Sequence, residues 1–310
     1  MKLRIKAFKL LFISTAMLIT THALAGAGDA DVEKTKSYSK SYNVSSSDAI
    51  TIENKFGETR LETWANNEVK VDVQIRIKAS NEERALDLIN GISIEDGKSG
   101  SGVYFTTHID QDNRNNRGRN NKTEMHIDYV VHLPANNTLN LRTEFGDTYM
   151  PDYNGLVNIS NKFGSLKAGK LSSVKEIVIE FGKCEATAIN NGKLTVKYSS
   201  FSVNKLSGDI DARIEFGDGT NITLDAGIKS FTLFNNYSSV KITTSKDISA
   251  KFDIETHFGD FKNRTDYSIR SDSDDENSRG PKFDYHYSGT TGGGSVPIKV
   301  KSNFGSVTLI

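Results

Sequence analysis

A Phe-Gly dipeptide recurs along this 310-residue chain. It appears as Phe56-Gly57, Phe145-Gly146, Phe163-Gly164, Phe181-Gly182, Phe216-Gly217, Phe258-Gly259 and Phe304-Gly305, with Tyr-Ser at Tyr198 and Tyr237. From 145 to 258 the intervals are 18, 18, 17, 18, 21 and 21 residues. Self-similarity at a short, nearly fixed period means one structural unit used again and again. Positions −2, −4 and −6 from each aromatic are mostly apolar or small, as in Leu139, Leu141 and Thr143, or Ile210, Ala212 and Ile214. Positions +3 and +5 are apolar again, as in Leu166 and Ala168, or Cys184 and Ala186. Alternation with period two on both sides of the aromatic reads as strand, bend, strand. A bend at +1 and +2 suits Gly or Ser, where a Cβ would crowd the turn.

About 18 residues is too short for a strand-helix-strand crossover, which needs a dozen or more residues in the connection alone. The sequence therefore predicts an all-β fold, a single-stranded parallel β-helix (solenoid) with coils of 18–21 residues stacked about 4.8 Å apart. On this reading Phe145, Phe163, Phe181, Tyr198, Phe216, Tyr237 and Phe258 form an internal aromatic stack. Asn54, Asn161 and Asn235, at −2, point inward as amide ladders. Position −1 alternates in sign through Glu144, Lys162, Glu180, Lys197 and Glu215, as an outward column of stacked rungs should.

Two segments break the period. Between Phe56 and Phe145, Glu68–Lys78 alternates strictly, Ser80-Asn81-Glu82-Glu83 offers a capping box for a helix over 81–90, and strands over 103–109 and 125–133 flank a polar loop, 110–124. Residues 49–138 are thus expected as an N-terminal α+β cap that covers the open end of the coil. Residues 139–310 are expected as the solenoid, with an inserted loop at 267–295. Lys2, Arg4, Lys6 and Lys9, the apolar run 10–19 and Ala23-Leu24-Ala25 read as a signal peptide over 1–25. A mobile leader, 26–48, is expected to follow. The chain is then exported, to the periplasm or outer surface of a Gram-negative bacterium, and has no transmembrane span after residue 25. The balance of 39 basic and 39 acidic residues argues against nucleic acid as a partner. The single cysteine, Cys184, excludes an internal disulfide and is expected to be buried.

Three stretches, 51–75, 126–150 and 287–310, together resemble a bacterial envelope family described as a putative adhesin, or the head domain of an autotransporter-like adhesin. The first has Asn54, Phe56-Gly57, Thr63-Trp64 and an alternating strand. The second has a strand, Pro134 and the return to Phe145-Gly146. The third has a glycine loop and a final Gly-containing strand. The resemblance spans about 50 to 310. It implies a β-solenoid of the cell envelope, of Bacteroidetes type, and brings no established catalytic residues.

Candidate sites are few. Arg114, Arg117, Arg119 and Lys122 in loop 110–124 suit a phosphate-bearing surface, or a solvated hairpin. His108 and His126 face each other if 103–109 and 125–133 pair antiparallel; Asp110, Glu124, Asp128 and His132 would then make a metal-binding face. Asp272, Asp274 and Glu276 begin like a calcium loop, but Asn277 and Phe283 stand where its Gly and final acid belong. Phe283, Tyr285 and Tyr287, and likewise Tyr149 and Tyr153, suit sugar stacking or core packing. Asp209, Asp211 and Asp218 form one acidic group with no basic partner, and no Gly-x-Ser-x-Gly or phosphate loop occurs. These features call for no cofactor, no metal and no enzyme. They favour a non-enzymatic, adhesin-like interaction or scaffold module of the envelope, with a surface protein or glycan as partner and the loops around Arg114, Arg117, Arg119, Tyr285 and Tyr287 as contacts. The alternatives are a periplasmic partner in sigma/anti-sigma envelope-stress signalling and a carbohydrate-active β-helix enzyme. Oligomeric state is not set by the sequence.

Overall fold

The computed structural model describes residues 31–110, 123–272 and 283–310. The expected signal peptide, Arg114, Arg117, Arg119, Lys122, Asp274, Glu276 and Asn277 lie outside the described residues.

The protein is all-β with one helix and a long mixed sheet. Its centre is built from β10 (Tyr153–Lys162), β11 (Ser165–Glu180), β12 (Lys183–Lys197), β13 (Ser200–Glu215) and β14 (Thr220–Asn236), each paired in parallel with the next. The partners follow the sequence period: Ile159 lies beside Ile177, Ile177 beside Leu194, Leu194 beside Ala212, and Ala212 beside Leu233. From β11 to β14 each strand contributes to two walls. The residues before each aromatic form the first wall, and those after it form the second. Between the walls lies one apolar cluster, into which the −2, −4, +3 and +5 columns point. Cys184 sits there, fully buried between Leu166 and Phe201, and burial pushes its thiol up to about 12.

Away from the centre the chain order and the spatial order part. At the N-terminal end, β2 (Ala49–Lys55) pairs in parallel with β8 (Leu139–Glu144), and β3 (Thr59–Trp64) with β9 (Thr148–Met150). The intervening residues leave and return. They form β4 (Glu68–Ala79), α1 (Glu82–Asn90), β5 (Ile92–Ser99), β6 (Gly102–Ile109) and β7 (Thr123–Pro134), in which β5–β6 and β4–β7 are antiparallel. Asn81 caps α1 by accepting from the Arg84 N–H. Residues 32–43, expected as a mobile leader, are instead β1 (Val32–Asn43). Its twelve residues pair antiparallel with β4, because the exposed edge of β4 offers a full row of backbone partners.

At the C-terminal end come β15 (Ser239–Thr244), β16 (Ala250–His257), β17 (Asp260–Asn263), β18 (Ile269–Ser271), β19 (Asp284–Thr291), β20 (Val296–Asn303) and β21 (Ser306–Leu309). The last two do not stack on the end. β20 inserts between β14 and β16, parallel to both, and β21 inserts between β15 and β17. The interval from Tyr237 to Phe258 thus steps over a gap that the chain's last strands fill. β19 and β18 then close the first wall antiparallel.

Two expectations are corrected here. The strands over 103–109 and 125–133 do not pair: β6 lies between β2 and β5 in one wall, and β7 between β3 and β4 in the other. His108 therefore lies opposite Ser93, and His126 opposite Arg76. The aromatic stack exists but is not internal. Phe145, Phe163, Phe181, Tyr198, Phe216, Tyr237, Phe258 and Phe304 are each 44–51% exposed.

Candidate functional site

The ring of each repeat points outward because its own residue makes the turn. Phe56, Phe145, Phe163, Phe181, Tyr198, Phe216, Tyr237, Phe258 and Phe304 all have φ between 50° and 63°. That left-handed region is rare for bulky residues and costs of order 1–3 kcal/mol each. It reverses the in-out alternation once, so −2 and +3 both face the core while the aromatic faces water. Neighbouring rungs hold it in place. The Phe145 N–H donates to the Lys162 carbonyl, Phe163 to Glu180, Phe181 to Lys197 and Tyr198 to Glu215, at 2.9–3.1 Å. The backbone ladder therefore runs unbroken through the corner.

Glycine at +1 has a different cause from the one its backbone suggests. A Cβ on Gly146, Gly164 or Gly182 would come within 1.8–2.0 Å of the carbonyl oxygen of the glycine one rung below. Close stacking, not a positive φ, excludes a side chain there. Where serine takes the position, its hydroxyl joins the corner: Ser199 Oγ accepts from the Gly182 N–H at 3.0 Å, and Ser238 Oγ from Gly217 at 2.8 Å.

The rings form one ladder: Phe56, Phe145, Phe163, Phe181, Tyr198, Phe216, Tyr237, Phe304, Phe258. Centroids are 4.8–5.2 Å apart and planes lie within 8° of parallel. Phe283 stacks on Phe258 at 4.6 Å. Nine rungs at strand spacing make an apolar ridge roughly 40 Å long. Ring faces are covered by ring neighbours, so the ridge shows edges to solvent.

Beside it runs the −1 column, in register from rung to rung: Lys55, Glu144, Lys162, Glu180, Lys197, Glu215, then Asn236, Asn303 and His257. Lys162 meets Glu180 at 2.7 Å, and Lys197 meets Glu215 at 3.5 Å. Arg142 and Arg213 hydrogen-bond Glu144 and Glu215 and hold those carboxyls below the usual range. Beneath the ridge Asn54, Asn161 and Asn235 are buried, yet they do not form a ladder, because Ile179, Val196 and Ile214 take the same position on the rungs between Asn161 and Asn235. The amides take other partners instead: Asn161 Oδ1 accepts from Thr148 Oγ1 at 2.9 Å, while its Nδ2 is buried without a hydrogen-bond partner. Asn54 Nδ2 donates to the Ile127 carbonyl at 2.9 Å, and Asn235 Nδ2 to the Ser238 carbonyl at 2.9 Å.

A second feature lies where β16, β18 and β19 meet. A cleft of about 580 Å³ is lined by Glu255, His257, Asp272, Asp284, Tyr285, His286 and Lys301. His286 bridges two carboxylates, with Nε2 2.8 Å from Asp253 and Nδ1 2.7 Å from Asp272, and His257 pairs with Asp284. The bond to Asp253, helped by Asp272, raises the His286 pKa despite some desolvation. Ser288 donates to Asp272 at 3.0 Å rather than to the imidazole, so its hydroxyl is not set up as a nucleophile by His286. The sequence reading missed this cluster, whose three carriers are brought together only by the antiparallel return of β19. A further groove of about 630 Å³ on the second wall holds Tyr149, whose ring lies under Arg60 at 4.6 Å and Lys167 at 5.8 Å.

The remaining candidates disperse. Tyr153 is fully buried and donates to the Asn137 carbonyl, so it is core. Tyr287 packs on Phe261 at 5.0 Å, and Tyr285 lies 6.3 Å from Tyr287. His108 lies near Asp110 at 3.6 Å and His132 near Glu62 at 3.0 Å, as separate pairs. Among the described residues no three His, Cys, Asp or Glu groups converge on a metal position. Asp209 accepts from Ser230 at 2.7 Å. No helix among the described residues is long and apolar enough to cross a membrane.

No family model matches the chain, and no curated protein matches it. Solved structures do. A putative adhesin from Bacteroides fragilis is 14% identical, with 89% of this chain and 97% of that chain covered and a TM-score of 0.42. A putative cell adhesion protein from Clostridium sporogenes is 10% identical, with 89% and 99% covered and a TM-score of 0.27. A putative lipid binding protein from Parabacteroides distasonis is 12% identical, with 88% and 96% covered and a TM-score of 0.28. Likeness at this level carries no functional conclusion for this chain.

Proposed function

We propose that the chain is an exported, non-enzymatic β-solenoid that serves as an adhesin-like interaction or scaffold module of the cell envelope. Its recognition surface is the aromatic ridge with its charged flank. The solenoid reading is supported by parallel neighbours offset by one repeat through the whole centre of the sheet. The observation that carries the function is the ridge itself: eight consecutive rungs each leave about half of an aromatic side chain in water. A contiguous apolar surface of this extent exceeds what a soluble monomer ordinarily exposes and marks an interaction site. Sugar stacking needs a free ring face, and along the ridge those faces are occupied. A protein surface that packs against ring edges fits better than a glycan. Arg114, Arg117 and Arg119, and Tyr285 and Tyr287 on β19, are proposed as secondary contacts.

The test compares residues 26–310 with the double variant Phe163→Asn/Phe181→Asn. Asparagine tolerates the left-handed backbone, so the corner survives while two rings are removed. Labelled wild type is expected to bind whole cells or envelope fractions saturably, and the variant about tenfold more weakly. No saturable binding by wild type, or equal binding by the variant, overturns the reading. Cell fractionation with an antibody against the chain checks the exported location.

A further inference from the structure

We infer that the partner seated on the central ridge is a second copy of this chain, related by a twofold axis perpendicular to the stack. This rests on the reading of the ridge as a recognition surface and names its occupant. Two closed arrangements bring ridge against ridge. With the axis along the stack, every ring meets its own copy, but the charged column of one copy and that of the other fall on opposite sides of the ridge, so neither meets a complementary column. With the axis perpendicular and passing between the Lys162 and Glu180 rungs, the column is read in reverse against itself. Lys55 then faces Glu215, Glu144 faces Lys197, and Lys162 faces Glu180, each pair occurring twice. An alternating column of six charges is self-complementary in this second arrangement only. The alternation stops where the match would stop: beyond Glu215 the column continues as Asn236, Asn303 and His257.

The same operation sets Phe56 opposite Phe216, Phe145 opposite Tyr198, and Phe163 opposite Phe181. Five of these six side chains, all but the partly buried Phe56, are about half exposed and offer roughly 500 Å² of ring surface per copy, since an aromatic residue buries about 150–250 Å² in all. A standard stable interface takes about 800 Å² per partner, a size the flanking columns complete. Apolar centre and charged rim are also the usual division of such a surface.

Sedimentation velocity on residues 26–310 tests this. Wild type is expected to dimerise in the micromolar range, and Phe163→Asn/Phe181→Asn to stay monomeric. Lys162→Glu alone and Glu180→Lys alone set like charges across the axis, and each is expected to dimerise at least about tenfold more weakly. Mixing the two single variants restores opposite charges across chains without repairing either chain's internal pair, so the mixture is expected to regain a dimer. Circular dichroism melts establish that each variant is folded. A wild type that stays monomeric throughout, single reversals that dimerise like wild type, or a mixture that does not recover overturns the inference. If wild type is monomeric while the ring variant loses cell binding, the twofold partner is wrong and the recognition surface stands. If wild type dimerises but binds no cell surface, the ridge is the chain's own interface and the adhesin reading falls.

Discussion

The central rungs and the terminal rungs present the same corner, the same outward ring and the same inward columns, yet they are assembled by opposite means. From β10 to β14 each rung rests on the one made 17–21 residues earlier, so contacts are local in sequence and every strand is parallel to its neighbour. At the ends, Phe56 reaches Phe145 only after the chain has built the cap and returned, and Phe304 slips between Tyr237 and Phe258 after a similar excursion. Antiparallel strands occur only at these ends among the described residues. A column of identical rungs has two open edges that would pair with any passing strand, and the antiparallel returns cover them. The centre thus carries the repeating surface, and the ends supply closure.

Removing residues 296–310 breaks this division most severely. It deletes β20 and β21, and with them buried Ile298, Val300, Val307 and Leu309, whose burial contributes roughly 6–12 kcal/mol. It also leaves β14 and β16 with no strand between them. Hydrogen exchange is expected to show β16–β19 unprotected, while β10–β12 keep their protection. Uniform loss along the whole chain would mean that the centre has no stability of its own.

Next in size is the contrast between two aromatics on adjacent rungs. Phe201 is buried at 1% exposure, and Phe181 is 49% exposed. Phe201→Ala is expected to cost about 3–5 kcal/mol by opening the core. Phe181→Asn loses two ring contacts, worth about 0.5–1.5 kcal/mol each, and part of that returns because asparagine accepts the left-handed backbone. Urea titration separates the two; equal costs would mean that the ridge is as integral to folding as the core.

These two aromatics also show where the sequence was readable. The repeat, its strands and the buried positions of Phe201 and Cys184 follow from alternation, because each rung must satisfy the same core. The direction of Phe181 does not. A shift of three between inward positions fits a turn at +1 and +2, and a phenylalanine in the left-handed region is the less expected source of the same shift. The insertion of β20 was equally hidden. Residues 296–303 have the pattern of any other rung, and alternation says which face is inward but not which neighbour the strand will choose. The cluster at His286 depends on that same long-range choice, so Asp253, Asp272 and His286 have no common signal in sequence.

Smaller again is the difference between two glycines at the same repeat position. A Cβ on Gly164 would lie 2.0 Å from the Gly146 carbonyl oxygen, whereas one on Gly217 would meet Ile214 Cγ2 at 3.0 Å and the Ser199 carbonyl at 3.1 Å. Gly164→Ala must spread the rungs and is expected to cost about 1–3 kcal/mol, while Gly217→Ala should cost about 1 kcal/mol or less. Thermal melts of the two variants measure the gap. A Gly217→Ala change as damaging as Gly164→Ala would show that glycine serves the turn itself and not the stacking distance.

The smallest effect concerns only the C-terminal closure, and it depends on pH. His286 draws Asp253, from β16, and Asp272, from the end of β18, toward one imidazole on β19, while Glu255, His257, Asp284 and Lys301 line the same cleft. Its pKa is raised above the ordinary value of 6.5, chiefly by the bond to Asp253. A raised pKa means that the folded state binds the proton more tightly. The stabilisation is therefore complete below the unfolded value and disappears as pH rises through the folded one. His286→Asn should loosen β18 and β19 at about pH 5.5 and change little at about pH 9, with a difference within about 1 kcal/mol because the pair is partly exposed. Hydrogen exchange read strand by strand isolates the effect: β18 and β19 in wild type should gain protection as pH falls, relative to the variant, and β11–β13 should not respond. Equal protection of the two proteins at both pH values would show that the bridge between the carboxylates contributes nothing to closing this end.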